Sequence, residues 1–239
     1  MINLLRYYLK IYIKSNKFVA PVVLWIIFLY VNNTTRPASF VSNLSSSGGI
    51  LYFVMIWLGF VYMELEDTVS EQLLILKVKN VSKYNMSKVL FLILIGIGMS
   101  IVGIIVPITQ HMINGYTLYT RNITVEDIIY SFILLSVMSF LGSMIGSLFH
   151  PRIFRDRKIA MLIVFIIGLL GYTKGPLIDD FPVLKFILWV FPPVYDILMK
   201  FANQEYFSLL TIGNAVVLAA GYGLILLFIQ LCVLKKNKF

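Results

Sequence analysis

A chain of 239 residues that is 59% hydrophobic and only 13% charged is too apolar for a soluble domain, in which about a quarter of residues are charged. Its mean hydropathy of +0.89 places it among polytopic membrane proteins. The net charge is +9, but the basic residues gather at the ends of apolar runs and not on one soluble face, so the partner they point to is the bilayer and not nucleic acid.

Segment 2–17 is amphipathic. Asn3, Arg6, Lys10, Lys14 and Lys17 share one face at about 100° per residue, and Leu5, Tyr8, Leu9, Tyr12 and Ile13 lie away from them. An interfacial helix on the inner leaflet is expected. The first apolar run has no small-residue cleavage site and flows into a polar loop, so no cleavable signal peptide is expected.

Six apolar runs predict transmembrane helices, at 18–31, 49–63, 89–110, 128–149, 158–173 and 207–234. Between the second and third lies Glu64–Lys88, ELEDTVSEQLLILKVKNVSKYNMSK, with four acidic and four basic side chains around an apolar EQLLIL. A solvated connection has no use for LLIL, so this segment is expected to fold and to touch another protein. The fourth run carries Gly142 and Gly146 as a GxxxG pair, which lets helices approach closely, either inside one bundle or between two copies. The turn after it, HPRIFRDRK, is strongly basic and suits anionic lipid. Four Asn-x-Ser/Thr triplets, at Asn32, Asn33, Asn43 and Asn122, fall outside when the N-terminus is placed inside, and read as chance matches in an Asn-rich chain. Cys232 stands alone, which excludes a disulfide framework, and packing in its apolar run is its expected role.

A seventh run, VLKFILWVFPPVYDILM at 183–199, competes for a span. Pro192 and Pro193 break it in the middle, and Lys185 and Asp196 would each cost about 2.5–3.5 kcal/mol at the bilayer centre. A broken helical hairpin within 174–206, dipping into the outer leaflet and packed on the spans, fits better. With the N-terminus inside, fifteen of the 20 Lys and Arg residues fall in cytoplasmic segments. Both termini are therefore expected in the cytoplasm, with the hairpin extracellular, in the plasma membrane. The expected fold is one all-α transmembrane domain over 1–239.

No Gly-Lys dipeptide occurs, so the chain has no P-loop of its own. No HExxH, cysteine cluster or nucleophile elbow is present, and His111 and His150 sit at the ends of different spans, where each reads as an interfacial polar residue. No catalytic residue, metal site or bound cofactor is expected.

An interfacial helix, six spans, a long structured loop after the second and a broken hairpin before the last together resemble the ABC-2 type permeases of ATP-binding-cassette exporters. The first inside loop is similar to the coupling region of that family at Glu66, Asp67, Thr68, Glu71, Leu73, Leu74, Val81, Ser82, Lys83 and Lys88. Asp67 replaces the usual Gly before Thr, and Asn80 the usual Pro before Val-Ser. FPPVYDILMKF at 191–201 is similar to the family's extracellular Pro-hydrophobic-Tyr element, which marks Pro192, Pro193 and Tyr195 as an extracellular gate.

The resemblance implies a non-catalytic transport subunit. Two copies of a separate ABC ATPase, bringing ATP and Mg, would dock on 64–88, with Glu71, Leu73, Leu74, Leu76 and Lys77 presented to a groove. A second permease copy or a sibling permease would complete the dimer, and a hydrophobic or amphipathic peptide or drug-like substrate would pass between the subunits along spans two and five. One rival is a polysaccharide or lipid-linked glycan permease, with Trp57, Tyr52, Tyr62 and Tyr172 along the path. Another is a free-standing membrane immunity or scaffold protein.

Overall fold

The computed structural model describes residues 2–34, 37–150, 156–202 and 204–236. Arg36, Arg152, Arg155 and Lys238, which enter the charge bias, lie outside these. The described residues are helical, with one isolated bridge between Ala38 and Tyr119. The helices are α1 (Ile2–Ser15), α2 (Val19–Asn32), α3 (Phe40–Met63), α4 (Thr68–Val78), α5 (Val81–Ile113), α6 (Val125–Leu148), α7 (Arg157–Asp180), α8 (Lys185–Leu188), α9 (Val194–Ala202) and α10 (Leu209–Lys236). A 3₁₀ turn, Pro182–Leu184, precedes α8.

Five helices, α3, α5, α6, α7 and α10, are long and apolar enough to cross a membrane; α1 and α2 together would make a sixth, bent by 80° at the break between them. Alone, the 14 residues of α2 rise about 21 Å, short of a hydrocarbon core of about 30 Å. The bend falls where Asn16 takes a left-handed backbone, φ 52°.

Helix α6 is the centre of the bundle and packs on α3, α5 and α10. It runs parallel to α3, because Gly142 meets Tyr52 and Met55 while Gly146 meets Phe60 and Gly59. It runs antiparallel to α5, with Leu135 at Gly103 and Ser139 at Gly96. A Cβ on Gly146 would fall on the carbonyl oxygen of Ile56 and 2.9 Å from Phe60 N; the GxxxG pair here takes the backbone of α3, inside one chain.

Three boundaries differ from the sequence reading. Helix α3 starts at Phe40, ahead of the apolar run, because Asn43, Ser45 and Ser47 are buried against protein and not lipid. Segment 64–88 is divided: α4 ends at Val78, Lys79 turns left-handed at φ 57°, and Asn80 then caps α5 by accepting from Lys83 N at 3.0 Å. The expected hairpin region begins as helix, since α7 continues through Pro176 to Asp180. Cys232, expected to pack, is exposed on α10.

The two ends of the bundle are stitched differently. At one end Ala38 N donates to Leu118 O at 3.1 Å and Thr120 N to Ala38 O at 3.2 Å, which ties the α2–α3 and α5–α6 connections. Arg121 forks onto Asp127 at 2.6 and 2.8 Å inside the capping box of α6, and the hydrogen bond to that carboxylate raises its already high pKa against the opposing effect of burial. Asn33 and Asn43 are buried there, with Asn43 Nδ2 donating to Asn33 Oδ1 at 2.7 Å and Tyr119 OH to the same oxygen at 2.6 Å. Two of the four triplets are therefore internal.

Candidate functional site

The other end carries α1, α4 and the start of α5. Helix α4 follows Asp67 at its N-cap position and begins at Thr68. One face of it looks inward: Leu74 and Ile75 pack on the core, and Glu71 is only 3% exposed. The opposite face is apolar and bare, with Val69, Leu73 and Leu76 exposed by 60%, 63% and 72%. These three recur at i, i+4 and i+7, the spacing of one helical stripe. Gln72 and Lys77 border it, also exposed.

What holds α4 is a buried charged cluster. Lys88, about two turns into α5, places Nζ 2.7 Å from Glu66 Oε2 and 3.5 Å from Glu71 Oε1. His150 Nε2, just past the end of α6, lies 3.2 Å from the same Glu71 oxygen. Tyr84 donates its hydroxyl to Glu66, and its ring centroid lies 4.7 Å from Lys88 Nζ. From α1, Tyr8 OH pairs with Ser87 Oγ at 3.2 Å, and Tyr8 and Tyr12 pack edge-on against Tyr62. So α1, α4, α5 and the end of α6 meet on one set of polar groups. The crevice beside them, lined by Tyr8, Tyr62, Glu66 and Lys88, is too narrow for a water molecule. At its edge Arg157 Nε reaches Glu64 at 2.9 Å; burial pushes the Glu64 carboxyl up, and Arg157 and Lys17 pull it partly back.

The structure thus redistributes the expected coupling residues. Leu73 and Lys77 stand on the outer face, Leu74 is half-buried, and Glu71, expected outside, is turned in. Ser82 and Lys83 are exposed on the first turn of α5, Val81 half-buried behind them. His150 is the residue that sequence reading missed. It was placed at an interface, yet it is 2% exposed and joined to Glu71. Lys88 directly ahead of an apolar run was the available signal, since a lysine there needs an acidic partner.

At the other end the Pro pair separates α8 from α9. Pro192 rests on Gly171 of α7, 3.0 Å from where a Cβ would stand, and Tyr195 fills the place a side chain on Gly175 would take. Pro193 O accepts from Ile197 N at 3.1 Å and opens α9. Helix α9 packs Ile197, Leu198 and Phe201 inward, and Ser45 of α3 donates to Leu198 O at 3.2 Å. Tyr222 OH on α10 donates to Val190 O at 3.1 Å, which satisfies a carbonyl at the break. Lys174 of α7 is buried and pairs with Asp196 of α9.

Among the described residues no group of three or more His, Cys, Asp or Glu side chains is placed to hold a metal ion. Compared with known proteins, the chain matches no family model, no curated protein and no solved structure.

Proposed function

We propose that the chain is the membrane-spanning permease subunit of an ABC exporter, driven by a separate ATPase that docks on α4. The carrying observation is α4 itself: a short helix outside the long apolar ones, with a bare Val69–Leu73–Leu76 stripe outward and a charged clamp inward. A stripe of that spacing fits a groove on a partner. The clamp gives a push on α4 a rigid route into α5 through Lys88 and to the end of α6 through His150. A chain without a P-loop must receive the energy of ATP from elsewhere, and a stiffly mounted docking helix is the part such a chain requires.

In this reading α1 lies on the inner leaflet with Arg6, Lys10 and Lys14 outward, α3, α5, α6, α7 and α10 are spans, and the short α2 makes the sixth where the bilayer thins and its flanking polar residues snorkel, with both termini cytoplasmic. The hairpin α8–α9 is then extracellular, with Pro192, Pro193 and Tyr195 at its turn as the gate. Two such subunits, or this one and a sibling, would face each other. The half-buried stripe Ile50, Phe53 and Trp57 of α3, beside Tyr172 of α7, is the surface of α3 left for a pathway. Its apolar character suits a hydrophobic or amphipathic peptide or drug-like cargo. Tyr52 and Tyr62 are buried in the bundle, so they offer no platform to a sugar chain, which weighs against the glycan rival.

The test is whether the chain, expressed together with its neighbouring reading frames, co-purifies with a P-loop ATPase. The wild type should retain it. Leu73→Asp with Leu76→Asp should lose it while inserting normally in the membrane. An ATPase held equally by both proteins places the docking surface elsewhere, and a wild type that retains no ATPase ends the exporter reading.

A further inference from the structure

A groove of about 440 Å³ runs between the α8–α9 hairpin and α10. Its walls include Trp189, Val217, Tyr222 and Ile225, and at one end it meets the Lys174–Asp196 pair. It opens outward, away from the bundle: Trp189 is 83% exposed, and Val217 and Ile225 are exposed as well. The outward surroundings of a helix that crosses a membrane are lipid.

Depth along the helices gives the groove a direction. Lys174 lies six residues before the end of α7 at Asp180, about 9 Å along the axis. On α10, which starts at the same end of the bundle, Val217 and Ile225 lie eight and sixteen residues in, about 12 and 24 Å. The polar end is therefore the shallower and the apolar end the deeper, Val217 lying short of the middle of a hydrocarbon core of about 30 Å and Ile225 beyond it. A phospholipid has the same polarity, with the head at the interface and the tail inward.

The charges at the shallow end select among headgroups. Lys174 is nine-tenths buried within a helix long and apolar enough to cross a membrane, and ionisable side chains so placed mark functional positions in membrane proteins. Asp196 is its partner, and its side chain is still 46% exposed. One buried cation and one accessible carboxylate, next to the aromatic faces of Trp189 and Tyr222, complement a head that carries both signs: an ammonium for the carboxylate and rings, a phosphate for the lysine. A purely anionic head would meet Asp196 as a like charge.

We infer that the groove between the hairpin and α10 binds one phospholipid with a zwitterionic ethanolamine headgroup, the head on Lys174 and Asp196 and an acyl chain along Val217–Ile225. This site is independent of the exporter reading and requires only that α7 and α10 cross the bilayer. Its occupancy would brace the hairpin against α10 from the lipid side.

The experiment is native mass spectrometry of the full chain, purified in detergent and titrated with phosphatidylethanolamine or phosphatidylglycerol of identical chains. One ethanolamine lipid should be retained, at an apparent affinity about tenfold above the glycerol lipid, the worth of one good charge-assisted hydrogen bond. Gly221→Phe fills the groove from a position with open space around it and should abolish that preference while leaving thermal unfolding unchanged. Asp196→Asn, with the groove open, should bring the two lipids to equal affinity. Equal retention of both lipids by the wild type, or an ethanolamine preference that survives Gly221→Phe, means ordinary annular lipid and overturns the site.

Discussion

Lys88 Nζ stands 2.7 Å from Glu66 Oε2, and both side chains are almost fully withdrawn from solvent. Taking such a pair out of water costs several kcal/mol per ion before their attraction returns it, so its net contribution to stability is small. What the pair does is fix geometry. Glu66 lies in the connection before α4 and Lys88 in α5, and Glu71 adds α4 itself to the same ammonium group. The angle at which α4 carries its bare stripe is thereby set by charges that tolerate no loosening.

Removing one member is therefore expected to cost far more than the pair is worth. Lys88→Met leaves Glu66 and Glu71 facing each other's charge without a cation between them, and should lower stability by about 3–5 kcal/mol. The readouts are the thermal midpoint in detergent and amide exchange of 68–78, which should quicken. Combining Lys88→Met with Glu66→Gln and Glu71→Gln should recover part of the loss. Unchanged exchange in α4 after Lys88→Met would show that the cluster does not hold it.

The contact of α6 with α3 predicts a sharp contrast between glycines. A methyl on Gly146 would collide with the Ile56 carbonyl, and backbone cannot step aside as a side chain can, so Gly146→Ala should destabilise by about 1–3 kcal/mol or more. Gly98, mid-helix in α5, has nothing within 4 Å of its added Cβ. Gly98→Ala should leave the midpoint unchanged or raise it, by up to about 1 kcal/mol from helix propensity. Equal effects at both positions would contradict the close parallel packing of α3 and α6.

Orientation is open to direct labelling. Asn122 and Lys77 are exposed at opposite ends of the bundle. With the exposed Cys232 replaced by Ala, Asn122→Cys should react with a membrane-impermeant maleimide in intact cells, and Lys77→Cys only after permeabilisation. The reverse pattern would invert the topology inferred from lysine and arginine placement.

The apolar spans were readable from the sequence because lipid demands long uncharged runs whatever the tertiary fold. The same rule hid the start of α3. Asn43, Ser45 and Ser47 look like loop residues, yet they are buried against protein: Asn43 on Asn33 and Ser45 on the Leu198 carbonyl. Hydropathy cannot separate a polar residue in water from one satisfied inside a bundle. In the candidate site, the apolar content of 68–78 announced a surface, but not which side faced out. That was decided by Glu71, whose partners are Lys88 on α5 and His150 just past the end of α6. Asn80 was noticed as a departure from proline; its role as the cap of α5 was local and could have been inferred from its type.

The hairpin offers the last prediction. Tyr195 occupies the volume over Gly175, so the end of α7 and the start of α9 fit only while residue 175 has no side chain. Gly175→Ala must push the tyrosine ring away and with it the Asp196 that follows, which strains the pairing to Lys174. The bundle does not depend on this contact: α3, α5, α6 and α10 meet elsewhere. The variant should therefore keep its main unfolding transition within a few degrees, while proteolysis and amide exchange across 185–202 rise several-fold, local opening being governed by local contacts. Gly175→Ala combined with Tyr195→Ala should restore protection, because the collision is gone. A hairpin equally protected in wild type and Gly175→Ala would mean that Tyr195 does not seat on α7 there, and that the hairpin is held by α3 and α10 alone.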